Sequence, residues 1–284
     1  MRGRYSCGMA DSISRRATLA GSVLLIPGIA RAADEACVAL EKSRGARIGV
    51  AAWDSGSGKT IRYRADERFI PCSSFKLSLA ALVLQRADAG KEKLDRVIHY
   101  PPPTLGVSPA TTKNQASGMT VLDLCEAAVI YSDNTAANLL LQAVGGPAGV
   151  TAFWRSLGDK VSRLDDNEPD LNKADALRNT ATPAAMLGNL KAMLLGDALT
   201  QPSRARLLGW MHANTTGATT LKAGLPPDWS VGDKTGRNPT HGFVADLAII
   251  TPPNRKPILA AVYTAKADDA VVASVGKILA SAFA

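Results

Sequence analysis

The chain has 284 residues, 46% of them hydrophobic and 20% charged, with 33 Lys and Arg against 25 Asp and Glu for a net charge of +8. That size and apolar content describe a globular protein with room for a substantial core, and no apolar run approaches the roughly 20 residues a membrane span needs. The positive excess is spread rather than gathered into Lys/Arg clusters, which argues against a nucleic-acid surface.

At the N-terminus, Ser14-Arg15-Arg16-Ala17-Thr18-Leu19-Ala20 forms a twin-arginine pattern, followed by an apolar segment to Ile29 and the small-x-small sequence Ala30-Arg31-Ala32. Residues 1–32 therefore read as a twin-arginine export signal removed after Ala32, which places the mature protein in the periplasm. They hold five arginines and one aspartate, so the mature net charge falls to +4. Residues 33–42 read as a helix. Residues 47–54 and 59–64 read as two strands around the turn Ser55-Gly56-Ser57-Gly58. Gly58-Lys59-Thr60 mimics the end of a phosphate loop, but the glycine that motif needs five positions earlier is Trp53. The segment is a hairpin tip.

From Pro71 to about Gly217 the pattern is mainly helical. A buried helix starts near Ser73, and Thr120 caps a helix over 120–130 with Asp123 three residues on. Residues 161–182 form a long polar stretch, and helices follow over 183–195 and 203–211. Beyond Gly217 short apolar runs return at 229–234, 242–251 and 257–264 between Pro/Gly/Asn turns, and an amphipathic helix over 270–283 closes the chain. Strands at both ends with helices between them predict an α+β fold. An antiparallel sheet built from both chain ends is flanked by helices and carries a mainly helical insert. The expected division is 33–68 with 218–284 as an α/β domain and 69–217 as a helical domain, with the active site between them.

Cys7 falls in the signal, leaving Cys37, Cys72 and Cys125, an odd number that permits at most one disulfide. His99, His212 and His241 are scattered and no metal-ligand spacing occurs, so neither metal nor cofactor is expected.

The chemistry is carried by Phe69-Ile70-Pro71-Cys72-Ser73-Ser74-Phe75-Lys76 and the apolar run behind it. Ser73 and Lys76 at i and i+3 share one helix face, which sets a hydroxyl at a helix start one turn from an amine, an arrangement for nucleophilic catalysis. Three more groups follow in order: Tyr131-Ser132-Asp133-Asn134; the loop Leu164-Asp165-Asp166-Asn167-Glu168-Pro169-Asp170-Leu171-Asn172; and Asp233-Lys234-Thr235-Gly236 at a strand end. Together with Asn214-Thr215-Thr216-Gly217 and Ala223-Gly224-Leu225-Pro226 they resemble the S-x-x-K, S-D-N and K-T-G signature of the class A serine β-lactamases. The resemblance spans essentially the whole chain after residue 32.

That resemblance implies hydrolysis of the β-lactam amide of penicillins and cephalosporins, with carbapenems a further candidate class, by a monomer acting on a small molecule. It makes Ser73 the nucleophile, with Lys76 and Ser132 as proton shuttles and Lys234 as a positive charge beside Ser132. Glu168 and Asn172 hold the deacylating water, Asn134 binds the substrate's side-chain amide, and Thr235 and Gly236 line the binding strand. The backbone N–H groups of Ser73 and Arg237 form the oxyanion hole. Alternatives are a penicillin-binding D,D-peptidase or a non-catalytic β-lactam sensor. The first would lack the Glu-x-x-Leu-Asn loop, and the second would normally carry a membrane span.

The sequence also departs from the family. The usual arginine two residues before the loop glutamate and its aspartate partner are replaced by Asp166 and Asn179, so the loop is expected to lose its ion pair and to rely on an Asp166–Asn179 hydrogen bond. Val107 stands where an aromatic often flanks the entrance, widening the mouth. Val244 stands where many relatives place a carboxylate-binding arginine, which leaves Arg237 with Thr235 as the expected anchor, or else pointing to solvent. Asn238 faces Cys72 where some relatives have a disulfide, so Cys72, like Cys125, is expected as a buried free thiol.

Overall fold

The computed structural model describes residues 27–175 and 177–284. Most of the expected export signal, residues 1–26 with Cys7, lies outside the described residues. The chain enters on α1 (Pro27–Arg44), longer than the helix expected over 33–42, so the expected cleavage point after Ala32 falls within it. The hairpin β1 (Arg47–Asp54) and β2 (Thr60–Tyr63) follows, with Asp54 closing the tip by accepting from Gly56 N (2.8 Å) and Ser57 Oγ (2.6 Å).

A 3-10 turn over Cys72–Ser74 runs directly into α2 (Phe75–Asp88). The α-helix proper thus starts after Ser73, but a 3-10 turn also brings i and i+3 together. Every residue of α2 from Phe75 to Leu84 is buried, as its all-round apolar sequence requires. A two-stranded ribbon, β3 (Val97–Ile98) with β4 (Met119–Thr120), brackets the short α3 (Pro109–Lys113). Then come α4 (Val121–Ile130), α5 (Asn134–Ala143) and α6 (Pro147–Ser156). Thr120 Oγ1 accepts from Asp123 N (3.1 Å) at the start of α4, satisfying one orphan donor as its sequence predicts. After the polar loop come α7 (Pro183–Leu194), α8 (Gln201–His212) and the single turn α9 (Leu221–Gly224). The chain ends with β5 (Ser230–Asn238), β6 (Phe243–Thr251), β7 (Ile258–Ala265) and α10 (Asp269–Phe283).

The five long strands form one antiparallel sheet in the order β2-β1-β7-β6-β5, joining the two ends of the described chain. Its central strands read as near-continuous apolar runs because both faces are covered. On one side α1 and α10 pack Cys37, Val272, Val275 and Phe283 against Val50, Ala260 and Val262. On the other, Phe75, Leu77, Trp154, Leu190 and Met211 share a core with Leu247, Leu259 and Tyr263. The sheet itself is therefore the wall between two apolar interiors. With β2, β5 is one of the two edge strands. It also runs past Gly236 to Asn238, so the K-T-G triplet lies mid-strand and not at a strand end as its sequence suggests.

Candidate active site

The edge of β5 meets the Cys72–Ser74 turn at van der Waals distance. A Cβ on Gly236 would lie 2.9 Å from Ser73 N and 2.8 Å from Ser74 N, so only glycine lets the two backbones approach this closely. The approach sets the start of α2 against an edge strand whose alternate N–H groups have no ladder partner. On the turn itself, Cys72 has φ +46°, a left-handed conformation disfavoured for a residue with a Cβ. Ser132 (φ +57°) and Asn179 (φ +48°) share this feature, so the Cys72–Ser74 turn, the Ser132 turn and the Glu168 loop each contain a residue in the left-handed region.

The expected catalytic residues come together around Lys76, whose side chain is fully buried. Its Nζ lies 2.9 Å from Ser73 Oγ, 2.8 Å from Ser132 O, 2.5 Å from Asn134 Oδ1 and 3.0 Å from Glu168 Oε1. Ser73 Oγ is in turn 3.0 Å from Glu168 Oε1. The carbonyl of Ser132 and the amide oxygen of Asn134 can only accept, so two Nζ–H bonds are committed to them. The remaining Nζ position faces Ser73 and Glu168. Burial pushes the Lys76 ammonium below the usual lysine range, opposed by the Glu168 charge. Lys234 Nζ donates to Ser132 Oγ (3.1 Å) and Thr235 O (2.8 Å). Burial, with Lys76 adding repulsion, drives it well below its ordinary range. Burial also pushes the Cys72 thiol up, with the Glu168 charge adding to it, so the thiol beside Ser73 stays protonated and inert. Cys37, Cys72 and Cys125 are all buried and unpaired.

Glu168 reaches this cluster on a polar loop between α6 and α7, and its peptide bond to Pro169 is cis. Asn138, on α5, clamps the glutamate's backbone from both sides: Glu168 N donates to its Oδ1 (3.0 Å) and its Nδ2 donates to Glu168 O (2.9 Å). Asn172 Nδ2 donates to Glu168 Oε2 (2.6 Å), as the Glu-x-x-Leu-Asn spacing implies. Asn238 Nδ2, at the end of β5, donates to Asn172 O (2.8 Å) and ties the loop to the strand.

The loop's own closure agrees with one expectation and corrects another. Asn179 Nδ2 donates to Asp166 Oδ2 (2.7 Å), the expected contact, and Asn179 Oδ1 accepts from the backbone N–H of Asp165 (2.8 Å) and Asp166 (3.0 Å). The ion pair is not lost, however. Arg178 Nη2 lies 2.5 Å from Asp166 Oδ1, so the charges have exchanged sides of the loop. The neighbouring pair, Arg163 with Asp165, adds a second at 2.5 Å.

Arg237 takes neither of the two positions its sequence suggests in simple form. Its guanidinium is bound edge-on by Asp269, with Nε and Nη2 each 2.8 Å from a carboxylate oxygen, while Nη1 reaches Thr235 Oγ1 (3.0 Å). It is held rather than solvated, and it stays beside Thr235. Val107 is half exposed at the rim, and its carbonyl accepts from Asn134 N (2.7 Å).

Several functional supports were not legible. Asp133, the middle of Ser-Asp-Asn, is fully buried. It caps α5 through Ala136 N (2.9 Å) and binds Ala110 N and Thr111 N (3.0 Å each), locking the Ser132 turn to α3. Its place in an N-cap pattern was the one available signal; Asn138 offered none. Behind the strand, Asp233 and Asp246 form a buried acidic pair. Thr235 faces Asp246 in the register, so Asp233 is its diagonal neighbour on one face. Among the described residues Asp233 Oδ2 and Asp246 Oδ1 are both buried without a partner, and burial together with the Asp233 charge pushes Asp246 up to about 8.

Comparison with known proteins agrees with this geometry. The model of the beta-lactamase enzyme family matches residues 32–283. The chain is 48% identical over 239 residues to Beta-lactamase AST-1 of Nocardia asteroides, covering 83% of this chain and 77% of that protein. It is 47% identical over 249 residues to the carbapenem-hydrolyzing beta-lactamase KPC of Klebsiella oxytoca, covering 84% and 85%. Among solved structures, the class A beta-lactamase of the last common ancestor of Gram-negative bacteria superposes with a TM-score of 0.86 at 53% identity, covering 89% of this chain and all of that one. A polar cluster of this kind at the seam of an α+β fold, matched over nearly the whole described chain, identifies the protein as a member of the class A β-lactamases.

Proposed function

We propose that this β-lactamase opens penicillins and cephalosporins through an acyl-enzyme on Ser73. The observation that carries the reading is the triangle in which Ser73 Oγ lies within 3.0 Å of both Lys76 Nζ and Glu168 Oε1. The Lys76–Glu168 pair takes the hydroxyl proton as Oγ attacks the lactam carbonyl, and the C–N bond breaks. Ser132, polarised by Lys234 at 3.1 Å, delivers its proton to the departing nitrogen and recovers one from the Lys76–Glu168 pair, which leaves Glu168 ionised for the second half. The developing oxyanion lies against the N–H groups of Ser73 and Arg237. Asn134 Oδ1 is committed to Lys76, so Nδ2 is the group it offers to a substrate amide. In the second half, Glu168 draws a proton from water as the water attacks the ester, and Ser73 leaves and is reprotonated. Asn172 Oδ1, buried beside Glu168 and without a partner among the described residues, is a suitable acceptor for that water.

The test is pre-steady-state hydrolysis of a chromogenic cephalosporin. The wild-type chain turns over many equivalents, Ser73→Ala gives none, and Glu168→Gln gives one stoichiometric burst with the acyl-enzyme visible by mass. A single burst from the wild type would instead identify a D,D-peptidase or a sensor. The KPC relative is named for carbapenem hydrolysis, and we extend that substrate class to this chain; turnover of one carbapenem decides it. Among the described residues no helix is long and apolar enough to cross a membrane. Export to the periplasm through Arg15 and Arg16, action as a monomer, and division into the α/β unit (33–68 with 218–284) and the helical unit (69–217) complete the proposal. Loss of export on Arg15→Lys/Arg16→Lys would support the first of these.

A further inference from the structure

An arginine side chain has five N–H donors. In Arg237, Nε–H goes to Asp269 Oδ1 (2.8 Å), and the two Nη2 hydrogens go to Asp269 Oδ2 (2.8 Å) and Thr216 O (2.9 Å). One Nη1 hydrogen goes to Thr235 Oγ1 (3.0 Å). Among the described residues the second Nη1 hydrogen has no partner. Asp269 is the first residue of α10, and its Oδ2 also accepts from Thr219 Oγ1. The carboxylate is thus fixed from two sides before it fixes the arginine, and hydrogen bonding to Arg237 holds its pKa below the usual range.

Hydrogen-bond polarity singles out that remaining donor. Asn214 Nδ2 donates to Asp233 Oδ1 (2.7 Å), which turns Asn214 Oδ1 toward Thr216. There it accepts from Thr216 N (3.1 Å) and Thr216 Oγ1 (2.8 Å). With its proton spent, Thr216 Oγ1 can only accept across its 2.5 Å contact with Thr235 Oγ1. The Thr235 proton is therefore committed to Thr216, and Arg237 Nη1 is the donor left at that point of the strand.

We propose that Asp269 is a positioning residue for substrate recognition: it binds the Nε/Nη2 edge of Arg237 and thereby presents Nη1, beside Thr235, to the carboxylate of the β-lactam. The proposal rests on Arg237 being the carboxylate anchor. A long arginine loses considerable rotamer freedom when it grips a ligand, and a partner that orders it beforehand removes that cost from binding. It also leaves a single charged N–H rather than a two-pronged fork for the substrate.

The experiment compares a carboxylate-bearing cephalosporin with its neutral methyl ester, using Arg237→Ala, Asp269→Ala and the double variant. The expected result is KM for the acid raised about ten-fold by Arg237→Ala and about five-fold by Asp269→Ala, with kcat nearly unchanged, no rise in KM for the ester, and the double variant no worse than Arg237→Ala. Asp269→Glu restores part of the loss. An unchanged KM for Arg237→Ala would remove the anchor assignment itself. A raised KM for Arg237→Ala with none for Asp269→Ala, or equal effects of Asp269→Ala on acid and ester, would overturn the role of Asp269 alone. Should Asp269→Ala fail to fold, Thr219→Val removes only the bond that steadies Asp269 and is expected to move KM in the same direction, by about two-fold.

Discussion

The two halves of the active site are held by different physics. Ser73 and Lys76 stand at the head of α2, a helix buried on every side from Phe75 to Leu84. Their geometry is fixed by apolar packing, a collective and non-directional force. Glu168 and Asn172 stand on a loop whose only buried apolar residues between Arg163 and Asn172 are Leu164 and Leu171. Its geometry is fixed by named polar contacts: the Asn138 clamp, the Asn179 hub and the Asn238 tie. On the proposed mechanism, the half that would form the acyl-enzyme thus depends on volume, and the half that would break it depends on a few directional bonds. Lesions in the two should fail in different ways.

The largest effect is expected from Leu79→Ala, which opens a cavity behind α2 and should cost about 2–5 kcal/mol in a denaturant titration. Acylation and deacylation of the surviving folded fraction should be nearly normal; selective loss of one step would break the comparison. Next comes Asn179→Ala, which removes the hub of the loop at a residue with φ +48°. Losing the amide oxygen that accepts from two backbone N–H groups, and the amide N–H that donates to Asp166, should cost about 2–3 kcal/mol locally. The acyl-enzyme, followed by quenched-flow mass spectrometry, should then persist while acylation is almost unchanged.

A moderate effect tests the strand behind Lys234. The Asp246 carboxyl stands at about 8 when folded, against an ordinary value of 3.8. The native state therefore keeps a proton that the unfolded chain releases, and the associated stability is full below about pH 4 and is lost as pH rises toward 8. Asp246→Asn supplies a permanent N–H where that proton sits. Its melting temperature should fall less than the wild type's between pH 5 and 8, and parallel curves would refute the account. The smallest effect is expected from Arg178→Ala. Its pair with Asp166 joins side chains 49% and 27% exposed, so its loss should change stability by less than about 1 kcal/mol and deacylation by less than about two-fold. A larger change would mean that charge, rather than the Asn179 amide, closes the loop.

What could be read in advance follows the same division. Ser73, Lys76 and the run behind them were legible because helical spacing converts directly into a shared face. The strands were legible because apolar runs between turns need a sheet to cover them. Bonds between distant polar groups leave no periodic trace. Arg178 looks like any surface arginine until the loop folds back to Asp166, and Asp269 is 32 residues from the arginine it holds. The end of β5 was misplaced for a related reason: Gly236-Arg237-Asn238 has the composition of a turn, yet the Cys72–Ser74 turn packs on it and keeps it extended.

An open sheet edge is ordinarily a hazard, because a row of unpaired amide groups recruits strands from other molecules. β5 keeps such an edge, and its two basic side chains, Lys234 and Arg237, are each tied down by internal partners rather than spread along the solvent side. Residues 231–236 of that strand are nonetheless buried, so an extended peptide meets little of the backbone that would cradle a small acyl group. The held charges and the elements packed over the strand act as gatekeepers that admit a compact anion and turn away a second chain. Solubility and substrate selection are in this respect one property of a single strand.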